Sequence, residues 1–444
     1  MEKNNINARE IALKILYKID KENAYSNIVL DSFLKEYNLE NRDKAFISQL
    51  VYGSITYKIT LDYIISKHSK IKLKKISDWI LNILRLGVYQ IMFLDKIPKR
   101  AIVNESVNLA KKYGHIKSSG FVNAMLKNIS ETELDELSFS NEIDELSIKT
   151  SHEKWFIEKL IKEYGLDNAR KICEYNNIEP PVYIRINVLK TTIDEFRNKL
   201  DKLEIKYEDG IVPNTLKIEK LNGLLESELF KNGYFSIQDN AASLASYILN
   251  VKEGENVLDM CSSPGGKTAH MAEMMKDKGT ITACDVYENR LSLVKKTARR
   301  LGITCIKTKL NDGTKLNNEF IDKFDKVLVD APCSGLGVIR RKIDIKYQKA
   351  EEDIDEIKNI QYLILKNASQ YVKLNGEIVY STCTIFKEEN DDIINKFLKE
   401  NSNFRLLDIS DKIKDNINKN GCIQVLPHIH NLDGFYIAKL ERIS

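Results

Sequence analysis

The chain has 444 residues, 43% apolar and 30% charged, and 68 Lys and Arg against 64 Asp and Glu leave a net charge of only +4. That length predicts two to four domains, and the apolar content excludes extensive disorder. Near-neutrality allows a nucleic-acid partner through local patches but does not call for one.

The first residues, Met1 to Asn7, lack the apolar centre of a secretory leader. No run approaches 18 apolar residues, so no membrane span is expected and the expected location is cytoplasmic. From there to about residue 130 the pattern reads as all helix. Ala12, Ile15, Leu16 and Ile19 recur at i, i+3, i+4 and i+7, and Val103, Val107 and Ala110 repeat the spacing. A compact helical bundle over 1–130 is expected. Lys67, Lys70, Lys72, Lys74 and Lys75 form a basic stretch within it, either a solvated helix face or an RNA face.

Residues 131–150 are acidic (Glu131, Glu133, Asp135, Glu136, Glu142, Asp144 and Glu145) and read as a linker or a solvated short helix. Helical spacing resumes with Ile157, Leu160, Ile161 and Tyr164, and Pro180-Pro181 breaks it. A strand over Val182 to Val188, a helix from Thr192 to Leu200, and strands at Ile205 to Tyr207 and Thr215 to Ile218 follow. The order over 151–234 suggests a small α+β unit of the RNA-recognition type, although that fold's aromatic stacking signature is missing.

From residue 235 to the end, strands and helices alternate. Strands are expected at 256–260, 280–285, 303–308, 325–330, 376–382, 422–426 and 434–441, and helices at 266–276, 287–301, 357–373 and 388–400. Such alternation predicts a seven-stranded, mainly parallel, Rossmann-like doubly wound sheet.

Chemistry gathers at the ends of these strands. The first is followed by Cys261-Ser262-Ser263-Pro264-Gly265-Gly266-Lys267, a strand-to-helix turn where glycines let backbone approach a ligand. It is neither G-x-G-x-x-G nor a P-loop. Asp259, Asp285, Asp312 and Asp330 lie at or near the ends of four successive strands. Each alone reads as a cap or turn residue. Together they disfavour phosphate and favour a cationic, hydroxylated ligand. S-adenosylmethionine, with sulfonium, ammonium and ribose, fits better than NAD or ATP. Asp285 is placed for ribose hydroxyls and Asp312 for an adenine edge.

The seven cysteines are odd in number and contain no C-x-x-C pair, which disfavours a zinc ribbon and a disulfide scaffold. No metal is expected. Two of them stand apart: Cys333 in Asp330-Ala-Pro-Cys-Ser-Gly and Cys383 in Ser381-Thr-Cys-Thr, each closing an apolar run. A thiolate is the strongest nucleophile among the side chains. Read singly, each is a small buried hydrophobe.

Asp-Ala-Pro-Cys-Ser-Gly and Ser-Thr-Cys-Thr behind a Pro-Gly-Gly-Lys-Thr loop resemble the RNA cytosine-5 methyltransferase family. The segment from Gly233 through Gln238 and Asp239 is similar to the opening of that family's catalytic domain. In the first 130 residues Arg42-Asp43-Lys44, Leu84-Arg85-Leu-Gly-Val-Tyr-Gln and Phe121-Val-Asn123 resemble the NusB antitermination fold. The resemblance implies S-adenosylmethionine bound by Cys261 to Lys267, Asp285, Asp312 and Asp330, and 16S small-subunit ribosomal RNA as substrate. It implies Cys383 as nucleophile, Cys333 in proton removal or product release, and Asp330 on the cytosine edge.

DNA cytosine-5 methyltransferases instead use a Pro-Cys thiol, so spacing alone leaves both assignments open. Arg340, Arg341 and Lys342 are candidate phosphate contacts beside a flipped base, and Arg185 is a candidate backbone contact. Two other readings stand: transfer RNA as substrate, or an RNA-binding scaffold with an inactive enzyme domain. A monomer is expected.

Overall fold

In the computed structural model, the described residues are 7–37, 39–131, 138–221, 223–414, 416–417 and 420–444. Residues 1–6 and three acids of the expected linker, Glu133, Asp135 and Glu136, lie outside them. The chain forms two compact units, one of Met1–Asn177 with Lys342–Gln348, the other of Ile178–Arg341 with Lys349–Ser444.

The first unit is helical. Helices Ala8–Glu22, Ser26–Glu36, Asn41–Thr56, Lys58–His68, Asp78–Phe93, Lys99–Tyr113 and Ile116–Ile129 share one apolar core. Helix Asp78–Phe93 buries Ile80, Ile83, Leu84, Leu86 and Val88 around most of its circumference, the pattern of a central helix. Its buried Arg85 donates to both oxygens of Asp62 at 2.7 Å and to Asp20 at 2.9 Å, so the charge is paired where water is excluded.

Three further helices, Glu142–Thr150, Lys154–Tyr164 and Leu166–Tyr175, fall in this unit by their contacts. Periodicity marks Lys154–Tyr164 as a helix, whereas Glu142–Thr150 lies in the expected acidic linker and buries Leu146. Periodicity carries no information about what an apolar face meets.

Residues 342–348 also belong here. Asp344 accepts from the backbone N–H of Ser26 (3.1 Å) and from its hydroxyl (2.8 Å). The buried ammonium of Lys346 donates to the carbonyls of Thr56 (3.1 Å) and Thr150 (3.3 Å) and to Asn177 Oδ1 (2.5 Å).

The second unit begins with a four-stranded antiparallel sheet of β1 (Val182–Ile186), β2 (Tyr207–Asp209), β3 (Thr215–Ile218) and β4 (Phe235–Ile237). Helix Ile193–Lys202 follows β1 and the short helix Glu228–Lys231 precedes β4, giving a β-α-β-β-α-β order with strands arranged β2-β3-β1-β4. Ile184 and Ile186 of β1 face Phe196 and Leu200 in a small core. By strand alternation Tyr183 and Arg185 face the other way, and both are buried.

The large sheet runs β7 (Ile306–Leu310), β6 (Thr280–Asp285), β5 (Asn256–Asp259), β8 (Phe324–Asp330), β9 (Val372–Thr382), β12 (Phe435–Arg442) and β10 (Phe404–Leu407), with β11 (Ile423–Val425) paired to β12. The pairs from β7 through β9 are parallel, and those of β12 are antiparallel. Val327, Leu328 and Val329 are fully buried on both faces, as a central parallel strand requires.

Two expectations shift. β10 was not anticipated, because four residues containing an exposed Arg405 carry too little pattern. The third strand starts at Ile306 rather than 303, because the Ile303 N–H closes the preceding helix on the Ala298 carbonyl and the N–H groups of Thr304 and Cys305 donate to Asp277. Strand order reverses between β5 and β8, where an open α/β sheet binds its ligand. Among the described residues, no helix is long and apolar enough to cross a membrane.

Candidate active site

A cleft opens at the C-terminal ends of β5 and β8. Gln238, Asp259, Cys261 to Pro264, Gly266, Lys267 and Asp330 line it, together with Ile237 and Ala242. Its floor is the expected loop. Gly265 sits at φ +100°, a region only glycine adopts freely, and an added Cβ would press on Val294 at 3.1 Å. Ser262 ties the loop to β6, since its N–H and hydroxyl donate to the carbonyl of Cys284 at 2.8 and 2.9 Å.

Across the cleft, Lys267 Nζ lies 2.8 Å from Asp330 Oδ2, and Ser381 Oγ donates to the other oxygen at 2.9 Å. Burial disfavours the Lys267 ammonium, but the charge and hydrogen bond of Asp330, with Cys383 and Asp259 adding to them, together raise its pKa. Burial pushes Asp259 up to about 7, with the charge of Asp330 adding to the rise and the Thr268 hydroxyl opposing it. Burial, with the nearby carboxylates adding to it, also lifts the Cys261 thiol well above its usual range and so favours its protonated form.

The two strand-end thiols meet. Cys333 Sγ and Cys383 Sγ are 3.0 Å apart, neither of them in a disulfide, and the Cys383 N–H points at Cys333 Sγ (3.3 Å). The parallel register of β8 and β9 produces this meeting: Asp330 pairs with Ser381, so each thiol, two or three residues further on, rises from the same end. Gly337 closes the loop after Cys333. Its N–H donates to the Cys383 carbonyl (2.9 Å), and a Cβ there would clash with the Gly434 carbonyl at 2.2 Å.

Residues that the sequence motifs do not single out hold these turns. Glu389 is fully buried and accepts from the Ser334 N–H (2.8 Å), the Ser334 hydroxyl (2.6 Å) and Gln361 Nε2 (3.1 Å). Next to it, Asn390 accepts from the Thr382 hydroxyl (2.5 Å) and donates to the Thr384 carbonyl (3.3 Å), gripping both neighbours of Cys383. The only signal in the sequence is the run Glu388-Glu389-Asn390 shortly past Cys383.

The cleft also holds buried polar atoms without protein partners: both amide atoms of Gln238 and Asp259 Oδ1. Buried polar atoms without protein partners call for a bound ligand or ordered water to satisfy them. The donor set fits S-adenosylmethionine. Among the described residues, Asp285, 4% exposed at the end of β6, accepts from the Tyr287 N–H (3.1 Å) and faces a distant Arg290 (3.6 Å), leaving acceptor capacity for ribose hydroxyls. Asp312 is turned onto its own loop, accepting from the Thr314 N–H (3.1 Å) and hydroxyl (2.6 Å) with Lys315 3.2 Å away.

The expected RNA contacts need correction. The guanidinium of Arg185 is buried and ion-paired with Glu273 through two bonds of 2.8 and 2.9 Å, and it donates to the Gly266 carbonyl at 3.0 Å. It braces the helix of the glycine loop, and its hydrogen bonds go to protein partners. Arg340 is buried against Asp433 (2.9 Å), and Arg341 bridges Asp433 and Asp239 (2.8 Å) while donating to the Pro181 carbonyl (2.9 Å). Of the triplet, Lys342 alone is exposed with no such bridge among the described residues.

A seven-strand path with its last pairings antiparallel, a glycine-turn cleft at the order reversal and unsatisfied acceptors facing it define a Rossmann-like methyltransferase domain. Family models match along the chain: the 16S rRNA methyltransferase RsmB/F model over 246–441, the NusB family over 6–131 and the RsmF/B-like ferredoxin-like domain over 152–222. The chain is 36% identical to a probable ribosomal RNA small subunit methyltransferase B of Bacillus subtilis, over 98% of both chains. It is 30% identical to ribosomal RNA small subunit methyltransferase B of Photorhabdus laumondii, over 99% of this chain and 100% of that one. The crystal structure of PH0851 superposes with a TM-score of 0.84 at 27% identity, over 99% of this chain and 100% of that one. The chain belongs to the RsmB/F methyltransferase family.

Proposed function

We propose that this protein transfers a methyl group from S-adenosylmethionine to C5 of a cytosine in 16S small-subunit ribosomal RNA, with Cys383 as the attacking sulfur. The observation that carries the reading is the thiol pair: two sulfurs 3.0 Å apart, with Cys383 within electrostatic reach of the Lys267–Asp330 pair that lines the cofactor cleft. The substrate class rests on the names of the full-length relatives. S-adenosylmethionine supplies an electrophilic methyl group.

Cytosine C5 is too weak a nucleophile to take that methyl group unaided. The Cys383 thiolate adds to C6, the C5–C6 π electrons move to C5, and C5 becomes the nucleophile. Lys267 stands within electrostatic reach of Cys383 and favours its anionic form. Asp330, fixed by Lys267 and Ser381, holds the cytosine edge as charge builds on the ring. After transfer a base takes the C5 proton, the C5–C6 double bond re-forms, and the C6–S pair returns to Cys383. The Cys333 thiol hydrogen-bonds that departing sulfur and promotes release.

Bisulfite sequencing of 16S ribosomal RNA and transfer RNA incubated with protein and cofactor tests the reading. A protected cytosine is expected in the 16S RNA, lost with Cys383→Ala. Protection that survives Cys383→Ala removes the nucleophile assignment, and protection confined to transfer RNA removes the substrate assignment.

A further inference from the structure

The two thiols are chemically alike, in contact and both partly exposed, yet only one can attack. A rule that separates them has to come from the charges around them. Lys267, a cation, lies on the Cys383 side. On the Cys333 side the acid that acts on the thiol is Glu389. A backbone N–H, a hydroxyl and a side-chain amide all meet the Glu389 carboxyl oxygens. A setting this rich in donors suits a carboxylate even where water is excluded.

Two of those donors belong to Ser334, the residue after Cys333. The anion is therefore fastened to the peptide that carries the thiol, and Gln361 pins it from helix Asp353–Tyr371 while also donating to the Pro332 carbonyl (3.0 Å).

We propose that Glu389 is the positioning residue that assigns the two thiols their roles, its buried carboxylate keeping Cys333 a thiol so that Cys383 alone attacks. The inference rests on the reading of Cys383 as nucleophile and deepens it. Three influences act on Cys333: the Cys383 sulfur first, then burial, then the Glu389 charge, and all three favour its protonated form, with the Cys383 N–H opposing. Tyr380, whose hydroxyl donates to the Glu389 carbonyl at 2.7 Å, is held neutral by burial and by the same carboxylate. Lys267 is the cation of this group, and it is committed to Asp330. A protonated Cys333 has the hydrogen that stabilises the departing Cys383 thiolate. An ionised Cys333 would repel it and compete for C6.

The test measures Cys333 without RNA or cofactor. In a Cys383→Ala chain, the rate of iodoacetamide modification at Cys333 is followed by peptide mass spectrometry between pH 7 and 10. Adding Glu389→Gln is expected to speed modification at pH 8 about tenfold, the effect of one unit in the thiol's ionisation. Glu389→Asp, which draws the charge back by one methylene, is expected to fall between, and it carries the test should the Gln chain not fold. Ser334→Ala loosens the loop but keeps the charge, and is expected to leave Cys333 slow. Equal rates across the set overturn the proposal, as does a Ser334→Ala chain as fast as Glu389→Gln, which would make loop mobility the cause. Methylation by Cys383→Ala alone would defeat the nucleophile reading instead, so the two failures are distinguishable.

Discussion

Lys267 does two jobs from one position. It neutralises Asp330 at 2.8 Å and sets a positive charge beside Cys383. Lys267→Met removes both while keeping most of the length of the side chain. Methylation in single turnover is expected to fall by about 10²-fold or more, the scale for losing one preorganised electrostatic partner. Cofactor affinity, measured by calorimetry, should change far less. Equal losses in both would mean that Lys267 serves the cofactor.

A second residue-scale expectation concerns Asp259. Its folded pKa, raised by burial to about 7, lies above the ordinary 3.8. Its contribution to stability is therefore fully present below the unfolded value and is lost as pH rises through 7. Asp259→Asn keeps an acceptor for the Thr268 hydroxyl (2.7 Å in the parent) and removes the titration. Denaturation of the two proteins at about pH 5 and pH 8 should show the Asn chain gaining on the parent by up to about 3 kcal/mol. Parallel profiles would mean that Asp259 does not titrate in this range.

At this scale the sequence was legible where chemistry is local. Apolar runs ending in Asp-x-x-Cys or Ser-Thr-Cys announce reactive groups at strand ends, and the register of β8 and β9 does the rest. Arginines mislead for the converse reason. Arg185 looks like an RNA contact until Glu273, 88 residues away, is placed against it. Asp433 changes the meaning of Arg340 in the same way from 93 residues away. Glu389 was invisible because its function lies in the donors that converge on it.

Between elements, the small antiparallel sheet shows why an order can be readable while its use is not. The β-α-β-β part of the pattern was legible from strand and helix signals, while the short helix Glu228–Lys231 and β4 were not anticipated, and the absence of stacking aromatics has a structural reason. The face that would offer them holds Tyr183, which packs into the core of the second unit, and Arg185, which clamps Glu273 on helix Gly266–Met274. The sheet is a brace for the cofactor helix. Arg185→Leu leaves a buried, unpaired Glu273 and is expected to cost about 3–5 kcal/mol, read as an earlier melt of the catalytic unit. Adding Glu273→Leu should restore much of that stability. The double variant should still bind cofactor more weakly, because the Gly266 carbonyl has lost its 3.0 Å donor. Recovery of both properties would reduce Arg185 to packing.

Over the whole molecule, the boundary between units is not a single point in the sequence. Residues 342–348 leave the catalytic fold just after the Cys333 loop and its Arg340 and Arg341 anchors, join the helical unit, and return before helix Asp353–Tyr371. Composition could not reveal this, because Lys-Ile-Asp-Ile-Lys-Tyr reads as an ordinary charged turn. Its hold depends on Lys346, whose amino group is buried against two carbonyls and an amide oxygen. Burial depresses the Lys346 pKa to about 7 from 10.5. For a group depressed in this way, the stability contribution is present above the unfolded value and is lost as pH falls toward 7. Between about pH 7 and 9 the helical unit should therefore gain roughly 1 kcal/mol per pH unit from this residue. Lys346→Met abolishes that slope and strips three acceptors of a donor, so the variant should be less stable and its stability flatter with pH. Hydrogen exchange at the amides of helices Asn41–Thr56 and Glu142–Thr150, followed over the same pH range after correction for intrinsic rates, reads this directly. If protection in the parent and in Lys346→Met changes in parallel, the strap is held by Asp344 and Tyr347, and Lys346 only fills space.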